Sequence, residues 1–210
     1  MAMTTDQHKG TWKDRLGYFW MYYKVPVILI AIGVVMAISF VHAAVTEKPS
    51  ALSVMMLDVH TDAADDELST DFMNYAGIDS GKNSVTISTT QMLTDAGSAS
   101  YQMGSLAKLY TSIGTGDLDV CSMLEDDFGK YADADSFMDL RDVFTEDELN
   151  TFPALYTSED GKVLGIYCGQ MPKMQEISGY ANGTGVIGIM YNTEHTDMAA
   201  EYLRYLNDNS

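Results

Sequence analysis

The densest set of candidate metal ligands in this chain is Asp58, His60, Asp62, Asp65 and Asp66, which directly follow an apolar run from Ala51 to Leu57. If that run is a strand, these residues stand at its carboxyl end, where α/β sheets gather ligands. Mixed imidazole and carboxylate suit a divalent transition metal, and the oxygens alone would suit calcium. Asp58, His60 and Asp62 are therefore the candidate metal site, and a metal-bound water there would support hydrolysis. The competing reading is a solvated turn followed by acids that favour a helix start. A second acidic group, Asp133, Asp135, Asp139 and Asp142, begins like a calcium loop. It fails that pattern because Phe137 holds the third ligand position and Met138 the place of the turning glycine, so it reads as a solvated face.

Other chemistry is sparse. A nucleophile needs an oriented base beside it, and His60 and His195, the two histidines beyond residue 45, lie in no recognisable motif. Gly183, Gly185 and Gly188 lack the lysine and the strand-to-helix context of a phosphate loop. Asn182-Gly-Thr184 matches a glycosylation sequon, which we read as chance. Tyr156, Tyr167, Tyr180 and Tyr191 could stack on a sugar or peptide, but strand packing explains them better. The 15 methionines are scattered along apolar stripes and read as core filling. No catalytic residue and no cofactor beyond a divalent metal is expected.

Cys121 and Cys168 are the two cysteines. A bridge between them would close a loop of 47 residues, worth about 4 kcal/mol if chain entropy dominates. Two buried free thiols in core strands are the alternative.

The elements that must position these groups alternate. Strands are expected at 51–57, 84–88, 119–124, 162–168 and 185–191. Helices are expected at 65–76, 100–113 and 196–207, the first two closed by Gly77 and Gly114. In the second helix Met103, Leu106, Ala107, Tyr110 and Ile113 form one apolar stripe, the pattern of a core-facing side. Between 125 and 150 two short helices are expected, one near 128–132 and one opened by Thr145 with Glu148 completing a capping box. This order implies an α/β domain with a mostly parallel sheet.

Ahead of that domain, Val25 to Val45 is 21 residues without a formal charge. As a helix it would extend roughly 31 Å, close to a bilayer's hydrocarbon core. Trp12, Tyr18, Phe19, Trp20, Tyr22 and Tyr23 precede it as an interfacial aromatic belt would, and Lys9, Lys13, Arg15 and Lys24 place the positive charge on its N-terminal side. The expectation is a cytoplasmic segment at 1–24, a transmembrane signal anchor at 25–45 and an extracytoplasmic domain at 46–210 in the cell membrane. Cleavage between Ala43 and Ala44 would instead secrete the domain. His42 reads as an interfacial residue.

Residues 46–210 hold 8 basic and 28 acidic residues, a formal charge of −20. So acidic a domain is a poor binder of nucleic acid or anionic lipid. Its length suits one real core.

The segments Gly114-Thr-Gly-Asp-Leu-Asp-Val120, Phe137-Met-Asp-Leu140, Gly161-Lys-Val-Leu-Gly-Ile166 and Gly188-Ile-Met-Tyr-Asn192, with the closing helix, resemble the extracellular solute-binding proteins of bacterial ABC importers over residues 51–206. The resemblance implies a fold like one lobe of that family. It does not bring a ligand cleft, because that family binds between two lobes and this domain has length for one. Leu118 and Tyr167 also stand where the family has proline.

These observations lead to a non-enzymatic, membrane-anchored binding or interaction module. Its expected partners are the bilayer through 25–45 and a membrane or surface protein or a second copy, with a small molecule as a further candidate ligand. The alternative is a metal-dependent hydrolase using Asp58, His60 and Asp62.

Overall fold

The computed structural model describes residues 25–39, 48–93, 98–177, 180 and 184–208. The chain divides into two units, Met1–Glu47 and Lys48–Ser210. In the first, residues 25–39 form a helix, α1, whose apolar side chains are exposed around its circumference, Leu29, Ile30, Val35 and Met36 among them. Among the described residues no helix is long and apolar enough to cross a membrane. The expected 21-residue helix is thus seen over its first 15 residues only, about 22 Å of rise against the roughly 30 Å a span needs. Residues 40–45, the aromatic and basic segment at 1–24, His42, the cleavage site and the sequon's Asn182 lie outside the described residues.

The second unit is a mixed α/β domain built on one six-stranded sheet in the order β2-β1-β3-β6-β5-β4. The strands are β1 (Ser50–Leu57), β2 (Ser84–Gln91), β3 (Val120–Leu124), β4 (Leu155–Thr157), β5 (Val163–Tyr167) and β6 (Gly185–Ile189). The helices are α2 (Asp65–Tyr75), α3 (Ala99–Thr115), α4 (Glu125–Ala132), α5 (Glu146–Leu149), α6 (Pro172–Glu176) and α7 (Thr196–Asn207).

The expected mostly parallel sheet is corrected to a mixed one. β1 pairs in parallel with β2 and β3, while β3–β6, β6–β5 and β5–β4 are antiparallel. The helices α2 and α3 supply the crossovers that parallel neighbours require. β4 and β5 are joined by a short turn in which Gly161 has φ +82°, and so short a link allows only an antiparallel hairpin. The sequence reading missed β4, whose three residues carry no alternation signal.

Strand periodicity sorts the core onto two faces. Leu52, Val54 and Met56 of β1, Val120 of β3 and Ile187 and Ile189 of β6 face α2 and α7. Met55, Leu57, Cys121, Met123 and Val186 face α3 and α4. On the first face Phe72 of α2 packs edge-on against Tyr202 of α7, ring centroids 5.0 Å apart. On the second, Phe128 of α4 stacks on Phe137 at 4.1 Å. That stack lies where Gly165 and Gly188 leave the sheet without side chains. The capping box at Thr145 is present, with Glu148 N–H donating to Thr145 Oγ1 and Glu148 accepting from the Thr145 N–H.

Candidate functional site

The residues of the expected metal site do not converge. Asp58, in the left-handed conformation at φ +59°, is buried, and its Oδ1 accepts the Leu93 N–H at 2.9 Å. His60 and Asp62 are exposed on the loop that follows. Asp65 is drawn into structure, its Oδ1 accepting both the N–H and the hydroxyl of Thr89, which ties α2 to β2. Among the described residues no three histidine, cysteine or acidic side chains form a group that could hold a metal ion. His60, Asp62 and Thr89 do line a shallow cavity of about 410 Å³. In the second acidic group, Asp139 pairs with Arg141, which holds its carboxyl below the ordinary range, and Asp135 pairs with Lys162. These are surface ion pairs of the kind a solvated face carries.

Cys121 and Cys168 are both free and buried, the second of the two alternatives the sequence left open. The reason is topological. Cys121 belongs to the α3/α4 side of the sheet and Cys168 to the α2/α7 side, so the sheet lies between them. The tyrosines do not share one platform. Tyr180 donates to the Ser122 hydroxyl at 2.6 Å, Tyr156 and Tyr167 pack near Phe128, and Tyr191 stands exposed.

Sequence reasoning missed two arrangements. In the first, Asp119, with a side chain 2% exposed, accepts the Ser53 N–H at 2.7 Å and the Thr193 hydroxyl, and its Oδ1 lies 3.1 Å from His195 Nδ1. The pair stands at the amino end of β3, beside a polar cavity of about 590 Å³ lined also by Asp117, Asn192 and Glu194. A carboxylate on Nδ1 is how a catalytic base is oriented. Among the described residues, however, no hydroxyl or thiol is hydrogen-bonded to the ring's other nitrogen, and all three contacts of the carboxylate join β1, β3 and the approach to α7. The arrangement works as a structural staple. No sequence signal could have shown it, because each partner lies more than 60 positions from Asp119.

The second arrangement is α3. Its buried residues are Ser105 and Leu109, not the expected stripe. Met103 is 71% and Tyr110 62% exposed, Ala107 is exposed too, and Leu106 and Ile113 are half-buried. Beside them runs a groove of about 510 Å³ lined by Leu93, Leu106, Tyr110, Ile113 and Tyr131, with Asp127 and Lys130 at its rim, themselves paired at 2.6 Å. Burial, then a hydrogen bond to Tyr110, pushes the Tyr131 phenol up. Rigid aromatics around an apolar recess are suited to taking an apolar side chain, and an exposed Met-Ala-Tyr stripe is suited to contact with protein. A signal for this face was present in the sequence. α3 carries Lys108 and no acid across 17 residues of a domain whose other helices all carry acids.

No family model, curated protein or solved structure matches this chain.

Proposed function

We propose that this chain is a membrane-tethered, non-enzymatic interaction module whose acidic α/β domain, outside the cell, meets a protein partner through the α3 face and its groove. The observation that carries the reading is the outward apolar stripe of α3. A monomeric acidic domain gains nothing by exposing Met103 and Tyr110 on a helix without acids, whereas an interface core is rich in Met and Tyr and poor in charge. The tether rests on the uncharged run at 25–45, with the basic residues before it giving the orientation. The strand–helix order and the one-lobe length support kinship with a single lobe of a solute-binding protein.

The test places a photoreactive amino acid at Met103 or Tyr110 in the full chain, in its own membranes, with Glu67 on α2 as the control position. Covalent protein adducts from the α3 positions alone are expected, together with a membrane pellet that resists alkaline extraction. Absence of adducts from α3 sinks the interaction reading, and an extractable chain sinks the tether.

A further inference from the structure

We propose that the partner at the α3 face is a second copy of this chain, the two α3 helices crossing antiparallel about a two-fold axis near Ala107. This rests on the reading of α3 as a protein-binding surface and names what covers it.

Electrostatics selects the face. Two copies of the domain at 46–210, each carrying −20, repel, and within a Debye length of about 8 Å the repulsion depends on which carboxylates are brought together. α2, α4 and α5 each place three acids in their first turn, α6 carries Glu176, and α7 carries Asp197 and Glu201. Contact through any of them sets acid against acid. α3 has Lys108 as its one charge, and the groove's Asp127 is neutralised by Lys130. Among the described helices of this unit, it is the one through which a like-charged copy can approach without burying carboxylates of its own.

Shape then favours self over another protein. An isologous interface needs one patch that carries both the projection and the recess. On α3 they are about 10 Å apart along the helix, at 1.5 Å per residue. Met103 projects in the N-terminal half, and the groove between Leu106, Tyr110 and Ile113 opens in the C-terminal half. With the helices antiparallel and Ala107 central, positions equally spaced on either side of it face each other. Tyr110 then lies over Gly104 of the partner subunit, and Met103 reaches toward the partner's groove. Gly104 suits the role, since even an added Cβ there would meet nothing within 4 Å. The large residue of one helix meets the gap of the other, and the two-fold axis makes that contact twice.

The test uses the full chain in mild detergent and in membranes. Ala107→Cys, oxidised, is expected to give a species of twice the chain mass, because paired positions at the axis can meet disulfide geometry. Glu67→Cys should give none, and Cys121 and Cys168, at 0% exposure, should not interfere. Light scattering should report a dimer whose dissociation constant falls several-fold from 50 to 300 mM salt as the repulsion is screened. Met103→Glu and Tyr110→Glu should each weaken it at least tenfold, and Met103→Glu, whose side chain is 71% exposed, should leave the melting temperature of the diluted, monomeric chain unchanged. A chain that is monomeric at every salt concentration and gives no Ala107→Cys product overturns the proposal. Photoadducts to a different protein in place of a doubled mass also overturn it, while leaving the interaction reading standing. No photoadduct of any kind removes both.

Discussion

Asp119 and His195, 76 positions apart, meet with 3.1 Å between Oδ1 and Nδ1, and the carboxylate between them and Ser53 is almost fully enclosed. Their energetic weights differ. Asp119→Ala leaves the half-buried Ser53 N–H without its acceptor and removes two further contacts of a carboxylate that is itself enclosed, and should cost about 2–4 kcal/mol of unfolding free energy. His195 is 39% exposed, so His195→Ala should cost under about 1 kcal/mol. Urea unfolding of the two variants checks the order, and equal losses would contradict the staple.

Gly165 and Gly188 face each other's strands under the Phe128–Phe137 stack. A Cβ on Gly188 would lie 2.7 Å from the Leu164 carbonyl oxygen, and one on Gly165 would lie 2.7 Å from the Phe128 ring. Overfilling so tight a site costs about 1–3 kcal/mol. Gly188→Ala should therefore lower the melting temperature by several degrees, whereas Gly169→Ala, with nothing within 4 Å, should leave it within about a degree. Calorimetry of both variants is the check.

The two thiols should be silent in the folded protein. Burial raises both, Cys168 to about 12 and Cys121 further, so neither forms a thiolate near neutrality. A chromogenic disulfide reagent at pH 8 should find no thiol in the native chain, and two per chain after denaturation without reductant. Finding none after denaturation would restore the bridge.

Alkali should unfold the domain through its tyrosines. The hydrogen bond to Glu125, then burial, pushes Tyr167 up to about 12, and burial raises Tyr180 and Tyr202. The folded chain keeps protons that the unfolded chain loses near pH 10. Stability is therefore complete below about pH 10 and is lost as pH rises through the folded values. Melting temperatures from pH 8 to 11.5 should fall past pH 10, and Tyr167→Phe should flatten part of that fall. An unaltered slope in this variant would deny Tyr167 its share.

What the sequence by itself determined was local. Hydrophobic period, the Gly77 stop and the Thr145–Glu148 box located the five longer strands and α2, α3, α4, α5 and α7, because each signal acts within one element, although α3 runs through its expected stop at Gly114 and ends at Gly116, which takes the left-handed conformation. α6 and β4 were not legible, being too short to show a period. Only the tertiary structure decided direction and facing. The antiparallel half of the sheet follows from how β4, β5 and β6 are connected. The separation of Cys121 from Cys168 follows from the face to which β3 turns Cys121 and from the side of the sheet to which the chain turns after β5, carrying Cys168. The outward turn of α3 follows because packing chose Ser105 and Leu109 for the core, half-buried Leu106 and Ile113, and left Met103, Ala107 and Tyr110 outside. Periodicity shows that a helix has an apolar side. Whether that side meets the sheet or the solvent depends on contacts that close only when the whole domain is assembled.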